Sequence, residues 1–452
     1  MQSLSVYLIN LGCAKNLVDS ELMTGLLQAG HFHVVEDPAL AHIIIVNTCG
    51  FIRSAKEESI AALLELAQYK KTGNCSLLIA VGCMVEKYEQ EMREAMPEVD
   101  EYLGTNRYQE ILPILYRHFP QYVRHTNLPH NLYLMRQLTD PKFSAYIKIA
   151  EGCNNCCSYC LIPQLRGPYK SRKMEDIIQE AAELKSQGVL ELNVVAQDTS
   201  NYGHDLYGKP MLPALLEQLA KLDFTWIRLL YVYPTLIDET LLSVIAAHKN
   251  ICHYLDIPLQ HGDSRILKAM NRRGDVDLIK EKVALCRKIV PDIALRTTMM
   301  VGFPGEDKRA WLNMLQFLSE MQFDWVGVFA YCREEDTPAA TFAHQVREST
   351  KQTRLDLTMQ HIAQITAINL QKYIGMTLDV LVEKEAEQLP DWVKKRPKDG
   401  IWYQGRSQYQ APEVDGMIYF CPKECGRVLK PGTFEKVLIT ASDIYDLRGE
   451  LK

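Results

Sequence analysis

Strand-like and helix-like segments alternate along most of this 452-residue sequence, and this alternation restricts the fold more than any other feature. Residues 1–120 contain three short apolar strands with two helical stretches between them: Ser5–Asn10, Val18–Ala29, His42–Asn47, Lys56–Tyr69 and Ser76–Val81. Strands joined by helices run parallel, because each helix returns the chain to the end of the sheet at which the previous strand began. The chain is therefore α/β, and residues 1–120 are predicted to form a doubly wound parallel sheet.

A longer series of the same kind follows a segment with little periodicity at residues 118–140. Its six candidate strands are Tyr146–Ala150, Glu191–Ala196, Trp226–Tyr233, His253–Pro258, Ala294–Val301 and Trp325–Tyr331. The helical stretches are Met174–Gln187, Met211–Lys221, Asp238–His248, Asp277–Ile289, Lys308–Glu320 and, leaving the series, Val346–Tyr373. Six βα units are fewer than the eight of a complete barrel, so residues 139–371 are predicted to form a partial βα barrel.

The C-terminal part changes to short β-rich segments separated by turns: Leu378–Val382, Tyr403–Arg406, Met417–Phe420 and Thr433–Ile439. This pattern predicts a small antiparallel β-barrel over residues 373–444. Residues 373–452 carry 13 acidic and 12 basic side chains, so this part lacks the basic excess that phosphate binding favours.

Composition limits the location and the partners of the chain. The net charge is −6 and the pI is about 6.1, which gives no global support for nucleic-acid binding. No run of 18 apolar residues and no secretory signal is visible, so we expect a cytoplasmic protein without a membrane span. The 13 cysteines are odd in number and the chain is large, which favours metal binding over a disulfide framework.

A cysteine follows each of the three predicted N-terminal strands: Cys13, Cys49 and Cys83. The carboxyl ends of parallel strands line the ligand crevice of such a sheet, so these three side chains are predicted to point to one place. Together they would form a metal or cluster site. The alternative is three separate buried cysteines, which are common in proteins.

Four cysteines lie within eight residues after the first barrel strand, where βα barrels place their sites: Cys153, Cys156, Cys157 and Cys160. A CxxxCxxC pattern of Cys153, Cys157 and Cys160 would hold a [4Fe–4S] cluster with one open iron. The spacing alone also allows Cys153, Cys156 and Cys160 as the three ligands. A zinc site is less favoured, because zinc knuckles generally use two separated pairs of cysteines.

The CxxxCx(aromatic)C pattern after the first of six βα units resembles the radical S-adenosylmethionine (SAM) superfamily. The resemblance implies that Cys153, Cys157 and Cys160 hold a [4Fe–4S] cluster whose open iron binds SAM, and that Cys156 is not a ligand. It also implies cofactor-binding roles for Tyr159 beside the last cysteine and for three residues at strand ends: Gln197, Gln260 and Gly302. The glycine is equally well explained as a turn former.

The order of the three predicted domains is similar to that of the methylthiotransferase family of radical SAM enzymes. In that family the N-terminal cysteines hold a second [4Fe–4S] cluster, which matches Cys13, Cys49 and Cys83, and the C-terminal barrel is a TRAM domain. Four strings resemble the branch that modifies an aspartate of the twelfth protein of the small ribosomal subunit: residues 11–21, 47–52, 196–199 and 411–416. The tRNA-modifying branch typically has Gln and Asn in place of Ala14 and Lys15.

The resemblance implies a transferase that adds a methylthio group to the β-carbon of that aspartate, in the free ribosomal protein or in the ribosome. It would use two [4Fe–4S] clusters and SAM, and would need an electron donor and a sulfur donor. The first alternative is the same chemistry on a tRNA adenosine, and the second is a non-catalytic iron–sulfur RNA-binding or electron-transfer protein. The chain departs from the family's pattern at Cys332 and at the Cys421–Cys425 pair. These cysteines are predicted not to be ligands.

Overall fold

The computed structural model describes residues 4–123, 126–393, 401–422 and 427–452. Three bodies follow one another along the chain: a parallel sheet, a larger curved parallel sheet and a closed β-barrel. The predicted α/β class with these three architectures is confirmed. Cys425 lies outside the described residues, so the predicted role of the Cys421–Cys425 pair stays a prediction.

The N-terminal body is a five-stranded sheet. In the described part of the chain, every pair of neighbouring strands in this sheet is parallel. Its strands are β1 Ser5–Asn10, β2 His33–Val34, β3 Ile43–Thr48, β4 Leu77–Gly82 and β5 Glu101–Leu103. Its helices are α1 Ala14–Ala29, α2 Arg53–Ala67, α3 Tyr69–Thr72, α4 Cys83–Ala95 and α5 Ile111–His118. The order β2-β1-β3-β4-β5 is doubly wound and reverses between β1 and β3, which is where such sheets bind ligands.

Two central strands explain why this sheet forms. All six residues of β3 and all six of β4 are buried, and both strands are rich in Ile, Leu and Val. Strands covered by helices on both faces need such continuous apolar runs. The two edge strands, β2 and β5, were not predicted, because they are only two and three residues long and show no clear alternation.

The central body is a six-stranded all-parallel sheet of order β13-β12-β11-β10-β9-β6, curved into a partial barrel. Its strands, with the small ribbon of β7 and β8, are β6 Ser144–Lys148, β7 Ala150–Glu151, β8 Lys170–Ser171, β9 Glu191–Val195, β10 Trp226–Leu229, β11 Ile251–Asp256, β12 Ala294–Val301 and β13 Trp325–Ala330. Its helices are α6 Ile162–Arg166, α7 Met174–Ser186, α8 His204–Tyr207, α9 Leu212–Ala220, α10 Glu239–Ala247, α11 Ser264–Ala269, α12 Val276–Ile289, α13 Lys308–Met321 and α14 Glu348–Leu370. In the described part of the chain, no helix is long and apolar enough to cross a membrane.

The C-terminal body is a closed barrel of order β14-β15-β16-β18-β17. Its strands are β14 Thr377–Glu385, β15 Tyr403–Arg406, β16 Ile418–Cys421, β17 Phe434–Ser442 and β18 Leu447–Leu451. All its ladders are antiparallel except that of β16 and β18, which is parallel. The last strand was not predicted and lies beyond residue 444. The domain boundaries drawn from the sequence stay predictions.

Glu191 joins the C-terminal barrel to the central sheet. It is fully buried at the start of β9 and accepts hydrogen bonds from Arg228 of β10 at 3.0 and 3.1 Å. Arg406, the last residue of β15, donates to its two oxygens at 3.0 and 2.7 Å. Burial alone would raise the pKa of Glu191, but the charges of Arg406 and Arg228 outweigh it and lower the pKa to about 2. One carboxylate therefore holds two buried arginines from two bodies.

We expect Glu191→Gln to lower the free energy of unfolding by about 3–5 kcal/mol, because it leaves the buried Arg228 without a carboxylate partner and leaves the buried Arg406 with Glu383 alone. Chemical unfolding of the cluster-free chain measures this, with Glu281→Gln on the exposed face of α12 as the matched control. Equal unfolding midpoints for the two variants would contradict the structural role of Glu191.

The same carboxylate predicts a pH dependence. Because its pKa falls from 4.5 to about 2 on folding, its stabilising effect is complete above pH 4.5 and is lost as the pH falls toward 2. Stability of the wild type should therefore decline more steeply in this window than stability of Glu191→Gln. Parallel unfolding curves of the two proteins across the window would count against this pairing.

Candidate active site

The carboxyl ends of the N-terminal and central sheets face one another across a cavity of about 370 Å³. All six cysteines predicted as ligands line it: Cys13, Cys49, Cys83, Cys153, Cys157 and Cys160. Apolar side chains form much of the remaining wall: Phe51, Ile162, Leu165, Val232 and Phe329. The fold therefore brings together two groups of three cysteines that are 70 residues or more apart in sequence.

The N-terminal cysteines lie at the switch point of their sheet. Cys13 precedes α1, Cys49 follows β3 and Cys83 begins α4 directly after β4. Asn16 Oδ1 lies 3.9 Å from Cys13 Sγ and 3.8 Å from Cys83 Sγ, so the two sulfurs meet at one amide. Gly12 has φ +99, and a Cβ there would lie 3.2 Å from Cys49 Sγ. Only glycine combines that conformation with that close approach.

The barrel cysteines lie on an irregular loop after β7. Gly152 has φ +74, and a Cβ there would lie 2.1 Å from the Pro168 carbonyl oxygen, so this turn requires glycine. The Cys160 amide donates to the Cys157 carbonyl at 3.0 Å, which tightens the loop. The loop is then tied down at Ser158, whose amide donates to the Met270 carbonyl at 3.0 Å.

Cys156 takes a different position from its neighbours. It is exposed, has φ 49 and is not among the residues that line the cavity. Its thiol donates to the Asn154 carbonyl of the same loop at 3.5 Å. This placement favours the triplet of Cys153, Cys157 and Cys160 over the one that contains Cys156.

Hydrogen-bond donors surround the sulfurs. Arg166 Nε donates to Cys83 Sγ at 3.1 Å, and the Ile162 amide donates to Cys160 Sγ at 3.4 Å. Arg272 Nη1 lies 3.8 Å from Cys157 Sγ. Burial raises the pKa of the Cys83 and Cys160 thiols to about 12, so both hold a proton at neutral pH that a metal would displace.

The residues predicted to contact SAM divide into two groups. Tyr159, Gln197 and Gln260 line the cavity, whereas Gly302 does not. The side-chain oxygens of Gln197 and Gln260 are buried without a hydrogen-bond partner among the described residues. Gly302 has φ 75, and a Cβ there would lie 2.4 Å from Lys351 Cγ, so it forms a turn beneath α14. A SAM role for these four residues stays a prediction.

The donor set of the cavity fits clusters better than a single metal ion. Within the described ranges, no three His, Cys, Asp or Glu side chains converge closely enough to hold one ion. A [4Fe–4S] cluster binds each thiolate through a different iron, so it needs the thiolates spread around its faces. The two unpaired amide oxygens are free to accept hydrogen bonds from a polar organic ligand.

A buried charge network borders the cavity and joins its two walls. Asp19 of α1 accepts from Lys148 at 2.5 Å and from Arg166 at 2.7 Å. Glu151 accepts from the same two cations at 2.6 and 3.3 Å. Burial opposes ionisation of Glu151, but the charges of Lys148 and Arg166 lower its pKa to about 2. Gln197 donates to the other oxygen of Glu151 at 2.7 Å.

Several polar residues of this cavity were not predicted from the sequence to be functional: Lys15, Arg166, Asp198, Asp256 and Arg272. Asp198 follows Gln197 after β9 and Asp256 ends β11, so the strand-end rule that selected Gln197 could have found both aspartates. Lys15 stands two positions after Cys13, in one of the strings that carry the family resemblance. The two arginines had no such signal.

Three family models match the chain: "Uncharacterized protein family UPF0004" over residues 5–104, "Radical SAM superfamily" over 147–318 and "TRAM domain" over 374–451. The superfamily match implies a [4Fe–4S] cluster and SAM. Among solved structures, the radical SAM methyltransferase TsrM of Kitasatospora setae, with cobalamin and a [4Fe–4S] cluster bound, has a TM-score of 0.53 at 15% identity. The match covers 75% of this chain and 77% of that one, and supports the fold alone.

Several relatives that align over nearly their whole length carry the name "Ribosomal protein uS12 methylthiotransferase RimO". The protein from Pelotomaculum thermopropionicum is 44% identical over 99% of each chain, and that from Clostridioides difficile is 44% identical over 99% of each. The Geobacter sulfurreducens protein is 42% identical over 99% of this chain and 98% of its own. The chain therefore belongs to the RimO family of radical SAM methylthiotransferases.

Proposed function

We propose that this chain adds a methylthio group to the β-carbon of an aspartate in ribosomal protein uS12, the twelfth protein of the small subunit. The observation that carries the proposal is the single cavity lined by two groups of three cysteines. The names of the full-length relatives support the choice of substrate. The C-terminal part, with 13 acidic and 12 basic residues, suits a basic ribosomal protein better than tRNA.

In this proposal Cys153, Cys157 and Cys160 hold one [4Fe–4S] cluster, and Cys13, Cys49 and Cys83 hold a second. Bound there, the first cluster with SAM would supply a radical able to remove a hydrogen atom from an unactivated carbon, the second would supply the sulfur, and a further SAM would supply the methyl group. An electron donor would be required because SAM must be reduced to give a radical. A sulfur donor would be required because the transferred sulfur leaves with the product.

The chain's own residues have three tasks in this scheme. Arg166 and Arg272 donate hydrogen bonds to cysteine sulfurs and so balance the negative charge of thiolates. Gln197 and Gln260 offer unpaired amide oxygens to SAM. The buried apolar side chains of Leu165 and Val232 limit the access of water to the cavity, which strengthens the electrostatic contacts inside it.

Iron and sulfide analysis of anaerobically reconstituted protein tests the number of clusters. We expect about eight irons per chain for the wild type and about four after changing either triplet to alanine, Cys13/Cys49/Cys83 or Cys153/Cys157/Cys160. The control changes three buried cysteines outside the cavity, Cys75/Cys252/Cys286, and should keep about eight. If the Cys13/Cys49/Cys83 variant kept about eight irons, these three cysteines would be packing residues and not cluster ligands.

Single variants separate the two roles. We expect Cys153→Ala to abolish formation of 5′-deoxyadenosine from SAM, because the radical-forming site is lost. Cys13→Ala should retain part of the SAM cleavage but form no methylthiolated uS12. Chromatography of the nucleoside and mass spectrometry of uS12 measure the two reactions, and the exposed Cys156→Ser is the control. Full methylthiolation by Cys13→Ala would refute the sulfur-transfer role.

A further inference from the structure

One buried cation in the cavity has neither a carboxylate partner nor a hydrogen bond among the described residues. Lys15 stands in the first turn of α1, is 8% exposed and lines the cavity. Its Nζ lies 3.7 Å from the centroid of the Tyr231 ring. Among the residues that the structure describes, no hydrogen bond or ion pair reaches this ammonium. A buried ammonium without an anion is costly, and a cation–π contact offsets only about 2 kcal/mol of that cost.

The other charged side chains of the cavity already have hydrogen-bond partners. Arg166 and Arg272 donate to protein oxygens. Asp198 accepts from two neighbouring side chains, and Asp256 pairs with an arginine of β12 at 2.9 Å. Lys15 differs from the two arginines of the cavity because, among the described residues, its nitrogen donates no hydrogen bond and so has its donors available for a ligand.

Lys15 also spans the two walls of the cavity. Its backbone belongs to the N-terminal sheet domain, two residues after Cys13, while Tyr231 follows β10 of the central sheet. The residues predicted to contact SAM, in contrast, all come from loops of the central body. Lys15 therefore extends from the opposite wall, and its ammonium lies over Tyr231 of the central body.

We propose that Lys15 binds the side-chain carboxylate of the target aspartate and so selects a carboxylate over an uncharged side chain. This inference rests on the proposed function. The carboxyl carbon of aspartate is bonded directly to the β-carbon. An ammonium that holds the carboxylate therefore also fixes the position of the β-carbon, which is the reacting carbon. An asparagine has the same shape but leaves the ammonium without an anion, which a buried site penalises. SAM carries two positive groups for its one carboxylate, which makes it the poorer partner for an additional cation.

Binding of uS12 in two forms, with aspartate or asparagine at the target position, tests the proposal. Anaerobically reconstituted enzyme without reductant is titrated with each labelled protein, and the dissociation constants are measured by fluorescence anisotropy. We expect the wild type to prefer the aspartate form at least about tenfold. Lys15→Met should weaken binding of the aspartate form by about that factor and leave the asparagine form unchanged. Lys15→Arg should retain the preference.

The matched control is Lys249→Met, an exposed lysine at the amino end of β11, away from the cavity. Iron content and the cluster absorbance of each variant report folding, and Lys15→Gln replaces Lys15→Met if the latter does not assemble. A Lys15 variant that keeps the preference for aspartate, weakens both forms equally, or weakens SAM binding instead would overturn the inference.

The outcome is separable from that of the proposed function. A wild type that neither binds nor methylthiolates the aspartate form contradicts the proposed function itself. A wild type that methylthiolates uS12, together with a Lys15→Met variant that still discriminates aspartate from asparagine, contradicts the role of Lys15 alone.

Discussion

A buried set of ion pairs joins the N-terminal sheet domain to the open end of the partial barrel, at the border of the cavity. Asp19 reaches from α1 to Lys148 and Arg166 of the central body, and Glu151 completes the balance of two cations with two carboxylates. Burying one of these charges alone would be very unfavourable, so the four are placed together or not at all. The relative position of the two walls is thereby defined.

The same network reaches the proposed chemistry directly. Arg166, which pairs with Asp19, also donates to Cys83 Sγ, and Gln197, which lines the cavity, donates to Glu151. A change in the orientation of the two domains would therefore move a sulfur donor and a predicted SAM contact together. Such coupling suits a reaction in which a carbon radical and a sulfur atom must meet within one enclosed space.

Charge also distinguishes the two ends of the central body. At the amino ends of its strands, Glu191 and Glu383 balance two buried arginines, and this end attaches the C-terminal barrel. At the carboxyl ends, the paired charges surround a cavity in which the described part of the chain leaves one ammonium unpaired. The first arrangement is closed and structural, whereas the second remains open to a ligand.

The sequence by itself determined the fold class and the order of the three bodies, and it marked the two groups of cysteines as candidate ligands. Apolar runs such as β3 and β4 define strands by composition, and the spacing of Cys153, Cys157 and Cys160 is local, so both are readable without a structure. Short strands such as β2, β5 and β18 were not predicted, because their pairing with neighbouring strands, and not a local sequence pattern, makes them strands. Only the tertiary structure decided that both triplets face one cavity, that Cys156 points away and that Lys15 lacks a partner. These facts depend on contacts between residues far apart in sequence, and no local pattern encodes which buried charges find each other.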